Sequence, residues 1–434
     1  MKNKNKKKIV YLALAADTIH NGHIKIINIA KKYGDVYVGL LTDQAINEYK
    51  IIPKFSFEQR FNIVSNLKFV KKVIPQNSLS YKNNLLKLRP EFVVHGDDWK
   101  VGVQKKIRKE VIDILKIWKG KLIEPKTTKI ISEKKILEEN ISSSEITSRI
   151  SLLRRLLNSK DIVRVIEAHN PLSAFIVEKA FFKKKNKIER FDCLWSSSLT
   201  DSVVRAKPDN QSVEFSTRIN GISEIFEISN KPIIFDADNG GSLTHLKILI
   251  KKLENLGVSA ICIEDKIGEK INSLFKNQKK SKQDSVKAFS QKIKKIKDLR
   301  KNRDFLIIAR IESLILGKSV SDAFKRAVSY SKAGADLILI HSKDKNTSKL
   351  FEFSKKFYNS SHYKPLVVVP SSFSHVTENV LIKNHFKIVI YANHLMRATF
   401  PSLERTAVNI LKFGRAKETE KYLAPIKTII SLIK

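Results

Sequence analysis

Two series of short apolar runs, each alternating with segments of helical spacing, organise this chain. In the first series the runs are Ile9–Leu14, Val36–Leu41, Phe92–Val94 and Leu122–Ile123, with stretches such as Ile24-Lys25-Ile26-Ile27-Asn28-Ile29-Ala30 between them. That alternation predicts an open parallel α/β sheet. In the second series the runs are Ile162–Ile166, Cys193–Trp195, Ile233–Phe235, Ala260–Ile263, Phe305–Ala309, Leu337–Ile340, Leu366–Val369 and Ile388–Tyr391. Eight such runs separated by helices are what a (β/α)₈ barrel requires. A polar stretch from Glu133 to Ser148, holding Ser142-Ser143-Ser144, parts the two series. It divides the chain into a front domain (1–133), a linker (134–148) and a barrel domain (149–434). Ile150–Leu157 beyond it has helical spacing with one basic face.

The runs of the second series end in polar residues: His169, Ser197, Asp236 with Asp238, Glu264 with Asp265, Arg310 with Glu312, His341, Ser371 and Asn393. The C-terminal strand ends of such a barrel form its active-site mouth. One or two polar strand ends are ordinary, but a carboxylate or cation at most of them predicts a site. Asp236, Asp238 and Glu264 supply the oxygen ligands that suit Mg²⁺, which takes few protein carboxylates and keeps several waters. Residues two apart on a strand share a face, which places Asp236 beside Asp238. Lys270 and Asn272 follow in the next loop, and Arg310 ends the next strand. Divalent metal, arginine and lysine together stabilise a migrating phosphoryl group, whose transfer demands positioning and charge. The residues therefore predict a Mg²⁺-dependent enzyme acting on a small, multiply anionic substrate.

Glu264-Asp265-Lys266 followed by Lys270-Ile271-Asn272-Ser273 resembles the E-D-K-x-x-x-K-x-N-S lid of phosphoenolpyruvate mutases, within the isocitrate lyase superfamily. Glu167-Ala168-His169-Asn170, Trp195-Ser196-Ser197-Ser198-Leu199, Asp236-Ala237-Asp238, Ala309-Arg310-Ile311-Glu312, Ile340-His341-Ser342-Lys343 and Ala392-Asn393-His394 agree in order. The likeness runs from about Leu152 to Pro425. It implies interconversion of phosphoenolpyruvate and phosphonopyruvate, with Asp236 holding Mg²⁺ and with Asp238 and Glu264 binding it through water. It also implies that Ser197, Ser198 and Leu199 cradle the substrate through backbone amides, with Trp195 packed beside it. Arg310 and His341 would contact the substrate, Asn272 would hold the phosphoryl group, Lys270 would belong to the lid, Ser273 of the same lid would bind the substrate, and Asp209 matches a mobile-loop aspartate. Asn239 and Ser198 depart from the threonine and glycine common in relatives. The lid lacks the cysteine of the lyases, which argues against lyase chemistry. Hydrolysis of phosphonopyruvate is the rival, and Asn272 favours the mutase.

In the front domain His20-Asn21-Gly22-His23 sits between the first strand and the first helix. There, two imidazoles and a helix N-terminus would meet a nucleotide's phosphates, and Gly22 permits close backbone approach. Two capping or core histidines are the plainer reading of the same residues. With Asp17, Asp35, Glu58-Gln59-Arg60 and His95-Gly96-Asp97-Asp98-Trp99, residues 7 to 132 resemble cytidylyltransferases of the glycerol-3-phosphate type. That implies a Rossmann-like nucleotidylyltransferase sheet and CTP bound near Asp17, His20, Gly22, His23 and Asp97. The family's late R-T-x-G-I-S-T-T element reads Thr127-Thr128-Lys129-Ile130-Ile131-Ser132-Glu133 here, and a carboxylate at that place repels triphosphate. Transfer of CMP to a phosphonate, regulatory nucleotide binding and a docking role all stay open.

The net charge of +39 alone suggests nucleic acid or anionic lipid. The lysines are scattered, however, and clusters such as Lys183-Lys184-Lys185 lack the interleaved aromatics of a strand-binding groove. This argues against nucleic acid as a partner. No apolar run approaches the roughly 20 residues of a membrane span. Cys193 and Cys262, the two cysteines, both lie in apolar runs, so buried thiols in a reducing cytoplasmic compartment are expected. By the resemblance, the chain assembles as a homodimer or homotetramer through helices after the last barrel strand, near Ser402 to Lys434.

Overall fold

The computed structural model describes residues 8–48, 53–100, 104–126, 145–184, 187–268, 270–275, 278 and 281–432. The expected linker up to Ser144 and the late element Thr127–Glu133 lie outside the described residues.

The front domain is a five-stranded parallel sheet of β1 (Ile9–Leu14), β2 (Asp35–Leu41), β3 (Val70–Gln76), β4 (Phe92–Val94) and β5 (Lys121–Ile123) in the order β3-β2-β1-β4-β5. Strand β1 is central and buried on both faces. Val10 and Leu12 pack with Ile27 and Ala30, whereas Tyr11 packs with Tyr81 and Trp99 on the other side. Its continuous apolar run is the mark of a parallel strand covered by helices twice. Strand β3 was not among the expected runs. It is an edge strand whose Lys71 and Lys72 are exposed and whose Pro75 lacks a ladder donor, and edge strands tolerate both.

The second domain is a closed parallel barrel of β6 (Val163–Glu167), β7 (Cys193–Ser196), β8 (Ile233–Asp236), β9 (Ala260–Glu264), β10 (Leu306–Ile311), β11 (Leu337–Ile340), β12 (Leu366–Val368) and β13 (Phe386–Tyr391). It closes where Tyr391 of β13 registers with Ile166 of β6. Alternate strand residues, among them Val165, Cys193, Ile234, Cys262, Ile308, Leu339 and Ile390, fill the interior. The residues between them, such as Phe235, Ile261, Ile307 and Ile338, pack outward against the helices, as a period of two dictates. The helix Glu145–Ser159 precedes the first barrel strand, and its Leu153, Leu156 and Leu157 join the interior cluster. Both cysteines are buried free thiols. Among the described residues no helix is long and apolar enough to cross a membrane.

The same leading helix touches the front domain. Arg155 Nε lies 3.0 Å from Asp43 Oδ2, and its guanidinium also donates to the carbonyls of Pro53, Lys54 (2.7 Å) and Phe55 (3.1 Å). Asp43 accepts in addition from buried Arg60 Nη2 at 2.8 Å, so one carboxylate joins an arginine from each domain. The helix His394–Phe413 after the last barrel strand is different: none of its residues is buried.

Candidate active site

The C-terminal ends of the barrel strands carry the charge. Strand β8 ends at Asp236, after which Asp238 takes a left-handed conformation with φ 52°. The two carboxylates therefore meet through a turn and not through strand alternation. Asp238 N donates to Asp236 Oδ1 at 3.2 Å, and Glu264 N at the end of β9 donates to the Asp238 carbonyl at 2.7 Å. Half-buried Lys292 fastens the turn from outside, donating to the Asn239 carbonyl at 2.7 Å. Beneath it the buried Arg218 donates to the Asp236 carbonyl (2.6 Å) and to Asp201 Oδ2 (2.8 Å), with Phe235 against its face. Arg218 lies in the first turn of the helix Phe215–Ile228, where nothing in the local sequence marks it.

A loop following β9 crosses over these carboxylates. Lys270 Nζ donates to Ser198 Oγ at 2.7 Å, lies 2.7 Å from Asp238 Oδ1 and also pairs with Asp209. Burial opposes its charge, but Asp238, Asp236 and Asp209 outweigh that and hold the ammonium above its usual range. Asn272 Nδ2 donates to the other oxygen of Asp209 at 2.7 Å. The loop is stitched from below by Lys266 Nζ, which donates to the Ile271 carbonyl (2.7 Å) and to Ser273 Oγ (2.9 Å).

On the far side of the carboxylates, Arg310 Nη2 lies 3.3 Å from Glu264 Oε2 and 2.9 Å from His341 Nδ1. Burial and then Arg310 depress the proton affinity of His341. Burial raises the Asp236 carboxyl, with Asp238 adding to it, and burial lifts Glu264 to about 8 against the pull of Arg310. Carboxylates gathered at such a cost fit a divalent cation, whose charge would offset it. Among the described residues no group of three or more His, Cys, Asp or Glu side chains is placed to hold a metal ion by itself.

The barrel positions given a site role from the sequence line one cleft of about 580 Å³, part of it open to solvent: Trp195, Ser197, Ser198, Leu199, Asp209, Asp236, Asp238, Glu264, Lys270, Asn272, Ser273, Arg310 and His341, whereas the strand-end residues His169, Asp265 and Glu312 do not line it. Lys266, Ile271, Leu274, Val369, Ser371, Ala392 and Asn393 complete its wall. Lys266, Ser371 and Asn393 had strand-end or loop positions as a signal, Val369 closed an apolar run and Ala392 stood in a family-like segment, but none of them was given a site role from the sequence.

The front-domain residues gather at the C-terminal edges of the neighbouring strands β1 and β4, where the strand order reverses. Ligands of open parallel sheets sit at such a switch point. His20 caps the helix Asn21–Lys31, its Nδ1 accepting from Gly22 N at 3.1 Å, while His23 Nδ1 faces His20 N at 3.4 Å. The capping reading is thus satisfied at Nδ1, leaving each Nε2 outside the capping box. Asp17 Oδ1 accepts from Phe55 N at 3.1 Å, and Asp97 N donates to the Pro125 carbonyl at 3.2 Å.

Comparison with known proteins agrees with this division. Residues 153–411 match the family described as phosphoenolpyruvate phosphomutase, and residues 15–149 match the cytidylyltransferase-like family. A phosphoenolpyruvate phosphomutase of Tetrahymena pyriformis is 33% identical over 66% of this chain and 91% of its own length. The crystal structure of a phosphoenolpyruvate phosphomutase from Streptomyces platensis subsp. rosaceus superposes with TM-score 0.60 at 31% identity, covering 66% of this chain and 94% of that one. A phosphonopyruvate hydrolase in complex with oxalate and Mg²⁺ gives TM-score 0.58, also at 31% identity, over 65% and 94%. With more than half its length matched, the chain belongs to the phosphoenolpyruvate phosphomutase family, as an enzyme whose barrel follows a cytidylyltransferase-like front domain.

Proposed function

We propose that the barrel interconverts phosphoenolpyruvate and phosphonopyruvate, moving a phosphoryl group within one molecule. The observation that carries this reading is the clamp of Asn272 and Lys270 on the two oxygens of Asp209, directly over the cleft. Overall likeness does not choose between isomerisation and hydrolysis, since the mutase and hydrolase structures are equally identical to this chain at 31%. A fixed amide and ammonium over the cleft favour holding the phosphoryl group over admitting water to it.

In this reading Arg310 and His341 bind the pyruvyl carboxylate and oxygen, and the backbone amides of Ser197, Ser198 and Leu199 complete that cradle. Trp195 walls the substrate. Asn272 and Lys270 hold the phosphoryl oxygens while the carbon–phosphorus bond of phosphonopyruvate breaks and the phosphoryl group joins the enolate oxygen. Positioning and fixed charge are most of what such a transfer needs. Mg²⁺, held by Asp236 with Asp238 and Glu264 behind water, would supply positive charge at the substrate's oxygens. Phosphorus NMR of the protein with phosphonopyruvate and Mg²⁺ tests the assignment. Phosphoenolpyruvate is the expected product; inorganic phosphate would make the enzyme a hydrolase, and no turnover would overturn both readings.

For the front domain, the switch-point placement of His20, Gly22, His23, Asp17 and Asp97 supports binding of CTP, with transfer of CMP to a downstream phosphonate as the matching activity. Titration calorimetry with CTP and Mg²⁺ checks this, and absence of heat at millimolar nucleotide would leave a docking role.

A further inference from the structure

Glu312, two residues beyond Arg310 on the cleft side of β10, is fully buried and is not part of the cleft wall. Its carboxylate nevertheless meets four side chains that are. Oε1 accepts from Arg310 Nε at 2.6 Å and lies 3.0 Å from His341 Nδ1. Oε2 accepts from Ser273 Oγ at 2.6 Å and lies 3.8 Å from Lys266 Nζ. Ser273 in turn accepts from Arg310 Nη2 at 3.0 Å and from Lys266 at 2.9 Å. Arg310 belongs to β10 and His341 directly follows β11, whereas Ser273 and Lys266 belong to the segment after β9 that carries Lys270 and Asn272.

The backbone at Glu312 is itself pinned. Its N–H donates to Asp265 Oδ1 at 3.0 Å, and Asp265 Oδ2 accepts from Tyr330 (2.7 Å), Gln283 (2.9 Å) and Arg326 (3.1 Å). Burial opposes ionisation of Glu312, but Arg310 and His341 overcome it and hold the carboxyl well below the usual carboxylate range. A carboxylate only accepts hydrogen bonds. His341 Nδ1 lies between this acceptor at 3.0 Å and the donor Arg310 Nη2 at 2.9 Å, so Nδ1 is engaged on both sides and Nε2 is the ring nitrogen left for the substrate.

We infer that Glu312 is a positioning residue that aligns Arg310 and His341 and, through Ser273, latches the Lys270–Asn272 loop over the cleft. One buried charge thereby makes substrate alignment and loop closure a single arrangement. Residues locked in this way by a supporting shell set the precision of a site, and a misplacement of about 1 Å costs roughly 100-fold in rate. The inference rests on the reading of the cleft as the reaction site.

The test is Glu312→Gln, which keeps the shape and removes the charge, alone and combined with Ser273→Ala. Consumption of phosphonopyruvate is followed whatever the product. Glu312→Gln is expected to melt near the parent temperature while kcat/KM falls about 100-fold, with KM raised as well as kcat lowered. Ser273→Ala should add little to it, because both changes break the same latch. A folded Glu312→Gln enzyme with unchanged KM, or losses that multiply in the double variant, would overturn the inference. Tryptic cleavage after Lys270 in the presence of Mg²⁺ and oxalate supplies a readout independent of turnover. Ser273→Ala alone should cut faster than the parent at an unchanged melting temperature, and equal protection would refute the latch even if Glu312→Gln does not fold. If the parent turns over no phosphonopyruvate, the proposed reaction fails, and the protease experiment still decides the latch.

Discussion

Asn272 Nδ2 donates to Asp209 Oδ2 across 2.7 Å and thereby joins two loops 63 residues apart in sequence. Lys270 takes the other oxygen of the same carboxylate, so Asp209 is the anchor for both residues proposed to hold the phosphoryl group. Asn272→Ala and Asp209→Ala should each lower turnover by roughly 100- to 1,000-fold, the range for removing a preorganised donor. Mg²⁺ binding should survive in both. Phosphorus NMR reads the first quantity and calorimetry the second; normal turnover in either variant would remove that residue from the mechanism.

The carboxylates at the ends of β8 and β9 should make activity dependent on a divalent cation. Dialysis against EDTA is expected to abolish turnover, with recovery on adding Mg²⁺. Asp236→Asn should need at least ~10-fold more Mg²⁺ for half-maximal rate, the order of effect for a weakened metal site. Full activity in chelator would contradict the assignment of these residues.

Arg155 and Asp43 hold the two domains together, and Asp43 is shared with buried Arg60. Arg155→Ala removes a side chain bonded to Asp43 and to three carbonyls of the front domain. The cost should be about 2 kcal/mol, typical of hydrogen bonds to charged groups. Calorimetry should show the front domain unfolding earlier while the barrel transition stays in place. A single transition at the parent temperature would mean that other contacts dominate the docking.

Glu124 of the front domain accepts from Trp99 Nε1 and Arg108 Nε, each at 2.7 Å. Arg108 above all, with Trp99 helping, lowers its carboxyl from 4.5 to about 2 against the effect of burial. The depressed value means that the folded state favours the ionised form. Its stabilisation is complete above pH 4.5 and is lost as the pH falls toward 2. Glu124→Gln should lower the front-domain melting temperature at neutral pH by a few degrees and flatten its decline over that interval. An unchanged acid profile would refute this account.

The helix His394–Phe413 has no buried residue, and Leu403, Val408 and Leu411 are exposed, Leu411 to 83%. An amphipathic helix left so bare accords with assembly through the region after the last barrel strand. Leu403→Asp combined with Leu411→Asp should convert the protein to a smaller species in light scattering coupled to size exclusion. An unchanged mass would place the interface elsewhere.

Much of this protein was legible from local pattern. Apolar runs bounded by turn residues marked all eight barrel strands to within a residue or two, because strands buried on both faces leave little freedom in composition. The barrel rule then turned their polar ends into a site before any contact was known. The edge strand Val70–Gln76 escaped, since one open edge lets lysines and proline enter and erases the signal. Asp236 and Asp238 were paired by strand alternation, yet only the left-handed backbone at Asp238 brings them together. The sequence by itself thus determined the two-domain α/β plan and the residues at the barrel mouth, through periodicity and the chemistry of strand ends. The tertiary structure alone decided that Asp209 anchors Lys270 and Asn272, that Glu312 gathers Arg310, His341 and Ser273, and that Arg155 reaches Asp43. Those partners are separated by tens of residues or more, or owe their meeting to side-chain direction, and no local period encodes which distant side chains a fold will bring within 3 Å.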